Sequence, residues 1–294
     1  VMYEHPLAYL LGIEGIALLR AFVGEGDRDF VEARLAEVRR LLENEELAGA
    51  GVEVRRLDTV EGYRAWAGTY DDPGNAAFAD EAVVGEIVDG LPAGVALDAA
   101  CGTGRFARSL AGRGHRVIGV DSSAAMLDVA RERVPEGEFR VGDLRALPVA
   151  DDGVDLAVCA LALTHVRDLG PVMGEFARVL RPGGHLVVSD VHPEAVARGS
   201  IPSLRDAGGR PARLASHRHL VGDYLRAALA AGLRPLRCEE PRRAAAGERP
   251  APTGTLGPWD LWPWCLNDLV PEAAEAAAAP ALLIWHFQLD LKSA

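Results

Sequence analysis

Apolar residues recur at three- and four-residue spacing over 6–22, where Leu7, Leu10, Leu11, Leu18 and Leu19 share one side. The same spacing returns over 28–48 in Val31, Leu35, Val38, Leu41 and Leu42, and the two stripes predict a helical hairpin. Gly24, Gly26 and Asp27 supply its turn and an N-cap, Arg39 and Glu43 an i,i+4 pair on the polar face, and Gly49 to Gly51 its end. Val52 to Leu57 reads as extended. Glu61 to Tyr70 reads as a helix with Tyr63, Trp66 and Tyr70 on one face. Asp71-Asp72-Pro73-Gly74 is a turn by composition, and a further helix is predicted over 76–88.

From Val95 the pattern changes to short aliphatic runs alternating with helical stretches, which predicts βαβ units and a parallel sheet. Strands are expected at Val95 to Ala99, Arg116 to Asp121, Glu138 to Gly142, Asp155 to Ala160 and His185 to Asp190. Helices are expected at Arg105 to Ala111, Ala124 to Arg133 and Pro171 to Leu180. The fold class is α/β, a doubly wound, Rossmann-like sheet. A Gly-, Pro- and Arg-rich connector follows up to Ser216, then a helix over Leu220 to Ala231, a strand over Arg234 to Glu239, a loop over Glu240 to Pro258, mixed helix and turn over Trp259 to Ala279, and a last strand over Ala281 to Leu289. Residues 1–58 are expected to form an N-terminal helical extension and 59–294 the main domain, with 190–220 a connector and 240–280 an insertion covering the acceptor site.

The chain has 294 residues, 49% hydrophobic and 25% charged, ample for a packed core. A net charge of −12 repels phosphates and anionic lipid, so neither nucleic acid nor a membrane is an expected partner. Cys101, Cys159, Cys238 and Cys265 lie far apart without a C-x-x-C pair, which predicts reduced thiols, a cytoplasmic setting and no metal site. The apolar run from Leu7 to Phe22 contains Glu14 and Arg20, lacks a basic segment before it, and is expected to be too short to span a bilayer.

Val95-Ala-Leu-Asp-Ala-Ala-Cys-Gly-Thr-Gly104 joins a buried strand to a helix. Its glycines let the backbone turn sharply and let a ligand approach unpaired N–H groups. Spacing alone also satisfies a loose dinucleotide fingerprint through Gly102, Gly104 and Ala107. Charge favours another ligand: Asp98 at the strand end would repel a pyrophosphate but attract the ammonium and sulfonium of S-adenosylmethionine. Asp121 closes the second strand, about 20 residues on, where an acid accepts ribose hydroxyls. Asp143 closes the third, within reach of an adenine amine, with Leu144 and Met126 flanking the ring.

Together these residues resemble the class I S-adenosylmethionine-dependent methyltransferases of small-molecule type. Asp98-Ala-Ala-Cys-Gly-Thr-Gly104 looks like that family's first motif, Gly119-Val-Asp121-Ser122-Ser its ribose segment, and Val141 to Val158 its adenine-contact region and fourth strand. Phe176-Ala-Arg-Val-Leu-Arg-Pro-Gly-Gly184 is similar to its turn before the fifth strand. The resemblance implies a seven-stranded sheet with an antiparallel last strand, and cofactor contacts from Ala99, Ala100, Gly102, Gly104, Ser122 and Cys159 beside the acids. The commoner motif has Gly where this chain has Ala100, a change tolerated if φ stays negative. Tyr63-Arg-Ala-Trp66-Ala-Gly-Thr-Tyr70-Asp71 is similar to a lid over the methionine part of the cofactor; core packing is the other reading of that stripe.

Methyl transfer is an in-line displacement that needs a close, aligned and desolvated nucleophile, with a base only where the acceptor loses a proton. His165 and His192, just past the fourth and fifth strands, are the catalytic candidates. His217 and His219 are candidates for acceptor contact. Trp259, Trp262 and Trp264 close an acceptor pocket, fill a packing gap or form a subunit contact, and the N-terminal hairpin is a lid or a homodimer surface. A small organic acceptor with an O, N or C nucleophile, in specialised metabolism, fits best. A protein that binds S-adenosylmethionine without transferring methyl, and an NAD-dependent oxidoreductase, are the alternatives.

Overall fold

A computed structural model describes residues 2–66, 70–71, 80–241 and 256–291. It divides into two compact units, one of Val1–Asp58, Ala197–Ala215 and Arg242–Pro280, the other of Thr59–Val196, Ser216–Pro241 and Ala281–Ala294. The connector and the insertion were expected to belong to the main domain. Instead, parts of both cluster with the N-terminal segment.

The first unit holds β1 (Met2–Glu4), α1 (Pro6–Arg20), α2 (Arg28–Leu42), α3 (Glu45–Ala48), β2 (Val52–Leu57), β8 (Ser203–Arg205), β9 (Pro211–Leu214) and α11 (Pro271–Ala276), labels running in chain order through both units. Pro6 opens α1, where its missing N–H would have had no partner. Asp27 caps α2 by accepting from the Phe30 N–H at 2.9 Å, as its sequence position suggested. The expected helix over 28–48 is broken at Asn44, which is extended and caps α3 through the Leu47 N–H at 3.1 Å. The extension is also more than helical. Its β1 and β2 join β8 and β9 of the same unit in a sheet of order β1-β2-β9-β8, with β2 and β9 parallel. The partners of β2 lie far along the chain, so local periodicity did not reveal the sheet.

Trp259 and Trp262 are buried in this unit's core with Leu10, Ile13, Leu41 and Val270. Of the readings open for these tryptophans, core packing is therefore the one observed. With the 3₁₀ turn Ala21–Val23, α1 continues as an 18-residue run of mean hydropathy 1.6, long and apolar enough to cross a bilayer by those two measures. That corrects the expectation that the run is too short. In the fold, however, α1 carries Glu14 into the core of its unit, where Arg34 meets it at 3.3 Å.

The second unit holds α4 (Thr59–Trp66), α5 (Glu81–Asp89), β3 (Val95–Ala99), α6 (Arg105–Ala111), β4 (Arg116–Asp121), α7 (Ala124–Arg133), β5 (Glu138–Val141), β6 (Val154–Ala160), α8 (Leu169–Val179), β7 (Leu180–Val191), α9 (Pro193–Ala197), α10 (Val221–Ala230), β10 (Leu233–Glu239) and β11 (Leu282–Leu289). Its seven-stranded sheet runs β10-β11-β7-β6-β3-β4-β5, and β11 is antiparallel to both neighbours. This is the expected doubly wound architecture. The expected bounds of β3, β4, α6 and α7 match those observed. Strand β7 begins earlier than expected, at Leu180, because Arg181 to Gly184 bulge out: Val154 faces Leu180 whereas Leu156 faces His185. Of the helix predicted over 76–88, the part before Asp80 lies outside the described residues.

Separate apolar clusters hold the sheet, one including Leu97, Val120, Phe176 and Leu186, the other Ala96, Phe106, Val117 and Val187. The chain leaves β3 toward β4 and β5 on one side and later builds β6 and β7 on the other. That reversal puts a crevice at the carboxyl ends of β3 and β6, where open α/β sheets bind ligands.

Candidate active site

Beyond β3 the backbone turns through Ala100, Gly102 and Gly104 at φ of +56°, +52° and +82°. The Cys101 N–H donates to the Val120 carbonyl at 3.0 Å and the Gly104 N–H to the Cys101 carbonyl at 2.9 Å, which fixes the turn against β4. A β-carbon on Gly104 would come within 3.1 Å of Ala130, so glycine there also lets α6 close on α7. Ala100 does not meet the condition of a negative φ under which alanine is readily tolerated there. It occupies the left-handed region, where a β-carbon is disfavoured.

The turn leaves Asp98 almost completely buried, and its Oδ2 has no hydrogen-bond partner among the described residues. Burial is the main influence and pushes its carboxyl up to about 7, while the Ala107 amide and the Arg105 guanidinium pull the other way and Asp121 adds to the rise. A buried oxygen without a partner is costly, and a ligand cation is the complement it lacks. Asp121, at the end of β4, accepts from the Gly102 N–H at 2.9 Å through Oδ2 and from the Ser123 N–H at 2.8 Å through Oδ1. Burial raises its pKa, and amides including that of Ser122 restrain the rise. A carboxylate has about four lone-pair sites, so acceptor capacity remains for hydroxyls.

Met126 is buried beneath this segment in the first turn of α7, which Ser123 caps. Leu144 packs half-buried on the core. The other adenine candidate is differently placed: the Asp143 carboxylate is exposed and held by Arg145, with Nη2 at 2.7 Å and Nε at 2.9 Å. Ala99 and Cys159 are fully buried, side by side across β3 and β6. The Cys159 side chain belongs to the core, where burial drives its thiol pKa up; it presents no surface to a ligand, unlike the role expected of it.

Tyr70 lines a small crevice together with Asp98, Ala100, Gly102, Thr103 and Arg105. Burial raises the Tyr70 phenol to about 12. Tyr63 and Trp66, from α4, complete an aromatic group in which Trp66 meets Tyr70 edge-on at 5.0 Å and Tyr63 meets Tyr70 at 6.0 Å between ring centres. Asp71 accepts from the Thr103 hydroxyl at 3.0 Å and pairs with Arg133, which fastens the end of this segment to the glycine turn.

The Tyr63 hydroxyl lies 3.1 Å from His165 Nε2. Burial, with the neighbouring Tyr70, Asp121 and Asp190, holds the Tyr63 phenol well above its ordinary pKa, so Tyr63 keeps its proton and donates to Nε2 in the His165 tautomer that carries its ring proton on Nδ1. His192 is not available in this way. Its Nδ1 accepts from the Glu194 N–H at 3.2 Å and its Nε2 faces Glu240 at 3.1 Å, so the buried ring caps α9. His219 donates from Nε2 to the Val166 carbonyl at 2.7 Å. His217 holds the His165 turn through its backbone, its N–H donating to the Thr164 carbonyl at 2.7 Å. No cluster of three or more metal-ligating side chains occurs among the described residues.

Sequence reasoning passed over two groups. Arg105 opens α6 beside the crevice, held by the fully buried Asp80 at 2.8 Å, which in turn accepts from Ser189. Its place directly after Gly104 was the available signal. Asp190, read only as a strand end, is fully buried with Tyr224.

Residues 97–188 match a family model described as a methyltransferase domain. The chain is 34% identical over 165 residues to malonyl-[acyl-carrier protein] O-methyltransferase of Serratia marcescens, covering 55% of this chain and 61% of that protein. It is 37% identical over 112 residues to demethylmenaquinone methyltransferase of Renibacterium salmoninarum, covering 38% of this chain and 47% of that protein. The chain thus spans less than two thirds of each of these relatives. Among solved structures, an S-adenosylmethionine-dependent methyltransferase from Mesorhizobium loti superposes with a TM-score of 0.52 at 26% identity, covering 72% of this chain and 98% of that one.

Proposed function

We propose that this chain, whose residues 97–188 match a methyltransferase domain model and whose fold superposes on an S-adenosylmethionine-dependent methyltransferase, moves the methyl group of S-adenosylmethionine to a small organic acceptor. The observation that carries this is the buried Oδ2 of Asp98 at the glycine turn, which has no hydrogen-bond partner among the described residues. An anionic phosphate there would leave two like charges facing each other in a dry site, whereas a cationic amino-acid tail satisfies the oxygen. Arg105 supports the carboxylate end of that tail, Asp121 and the Ser122 amide the ribose, and Met126 and Leu144 the base.

When bound, S-adenosylmethionine supplies a methyl group activated by its sulfonium. The protein's contribution is to exclude water with Tyr63, Trp66 and Tyr70 and to align the acceptor. For an acceptor that must lose a proton, Tyr63 takes it while passing its own to His165 Nε2, which leaves an imidazolium beside the phenol. His165 is the base favoured here over His192, whose ring nitrogens are already engaged. The named relatives, which methylate malonyl-[acyl-carrier protein] and demethylmenaquinone, support an organic acceptor over nucleic acid. The net charge of −12 supports the same choice and argues against an anionic membrane as partner.

Two further readings belong to the same proposal. The protein works in a reducing cytoplasm, supported by its four free cysteines. It pairs as a homodimer through its N-terminal helices, supported by exposed Leu19, Phe22 and Val23 at the end of α1; sedimentation velocity reporting a monomer at micromolar concentration would remove that second reading. For the activity itself, the protein is incubated with S-adenosylmethionine and panels of phenols, amines and activated carbon acids. Products heavier by one CH₂ are expected, together with S-adenosylhomocysteine. Cofactor binding with no methylated product from any panel would point instead to a non-methylating use of the ligand.

A further inference from the structure

Asp190, the penultimate residue of β7, is fully buried. An ionisable group in that position is costly unless every lone pair serves a bond. Its carboxylate accepts from the Tyr224 hydroxyl at 2.6 Å, from the Val191 N–H at 2.8 Å, and from the Thr164 backbone amide. The last of these reaches a different segment, the 3₁₀ turn Leu163–His165. Thr164 is also held from its other side. Its carbonyl accepts from the His217 N–H at 2.7 Å, and its hydroxyl donates to the His217 carbonyl at 3.2 Å. The residue before His165 is therefore pinned by a carboxylate and by a neighbouring backbone, and the ring that follows meets Tyr63 edge-on with centres 5.7 Å apart.

We propose that Asp190, fixed by Tyr224, is a positioning residue that holds the turn Leu163–His165 so that the His165 imidazole meets the Tyr63 hydroxyl beside the cofactor crevice. The catalytic meaning of that contact rests on the function proposed above; the positioning itself does not. An apolar residue at 190 would fill the same space without the desolvation cost, but it would leave the Thr164 N–H unpaired and the turn free to move. A small displacement there matters, because proton transfer between His165 and Tyr63 depends on hydrogen-bond distance.

The test uses the full chain labelled with ¹⁵N-histidine, with the His165 signal assigned by its loss in His165→Gln. Tyr63→Phe sets the position of that signal when the hydrogen bond is absent. Tyr224→Phe, which removes one hydroxyl, and Asp190→Asn are expected to move the His165 signal toward the Tyr63→Phe position. The signals of His185 and His286, whose rings meet at 2.9 Å farther back along β7 and β11, are expected to stay in place and exclude a general loosening. Calorimetry with S-adenosylhomocysteine is run on the same samples, and its affinity is expected to be unchanged in both variants. A His165 signal that stays at its wild-type position in Tyr224→Phe overturns the proposal, including where Asp190→Asn fails to fold. Wild-type protein that binds no S-adenosylhomocysteine would remove the functional reading and leave the positioning question to the histidine signals.

Discussion

Asp98 exists in two electrostatic situations, a buried acid without a cation and a buried anion with one. Burial raises its pKa from an ordinary 3.8 to about 7, so between those values the folded protein holds a proton that the unfolded chain has lost. Ligand-free stability from this group is therefore undiminished below about pH 4, falls as pH rises, and reaches its full penalty above about pH 7, a few kcal/mol at about 1.4 kcal/mol per unit. Asp190 and Glu14, both also raised to about 7 by burial, add to the same slope. Thermal melts of the ligand-free protein should drop between pH 5 and pH 8, and Asp98→Asn should flatten that drop; a wild-type melting temperature that rises over the range would contradict the burial argument. Ala100 offers a second check. Its positive φ costs about 1–2 kcal/mol for a residue with a β-carbon, partly offset by the greater unfolded-state entropy of glycine. Ala100→Gly should raise stability by roughly 0.5–1 kcal/mol in urea denaturation, and a loss would show that the left-handed turn is not populated. The placement of Asp98 and Asp121 at the carboxyl ends of β3 and β4 was legible in the sequence from the apolar runs that lead into them. The outward turn of Asp143 toward Arg145 was not, since a neighbour two residues away competes with any ligand and spacing does not rank the two.

At the scale of elements, the βαβ core was readable because each strand and helix satisfies itself locally: apolar runs, glycine turns, and caps such as Ser123. What escaped depends on distant pairing. Residues 203–214, a Gly- and Pro-rich stretch by composition, form the hairpin β8–β9, and Arg55 of β2 pairs with the buried side chain of Asp206 at 2.6 Å. The helices α1 and α2 show the same dependence. Glu14 is fully buried, its Oε2 has no hydrogen-bond partner among the described residues, and Arg34 is its cation. Removing one member of a buried pair strands the other, so Arg34→Leu should destabilise this unit by about 3–5 kcal/mol. Combining it with Glu14→Leu should recover most of that loss, measured by chemical denaturation followed through tryptophan fluorescence. Equal losses in the single and double variants would mean that the pair contributes packing rather than charge.

Across the whole molecule, the described residues assign the work unequally. The groups proposed to hold the cofactor and move the proton, from Tyr63 through Asp98 and Asp121 to His165, all fall in the second unit, and the buried Trp259 and Trp262 belong to the first. Ligand binding should therefore stabilise the second unit, by about 2.7 kcal/mol at a hundredfold excess over Kd. Its pH dependence follows from the state of Asp98: affinity for a cationic ligand should weaken as pH falls below about 7, where the carboxyl takes up a proton. The most direct measurement is isothermal titration calorimetry with S-adenosylhomocysteine on wild type and Asp98→Asn at neutral pH, with NADH as the comparison ligand. The account predicts saturable binding to the wild type, at least roughly tenfold weaker binding to the variant for the loss of a charge-assisted hydrogen bond, and no heat with NADH. Undiminished affinity in Asp98→Asn, or saturable binding of NADH in its place, would contradict it.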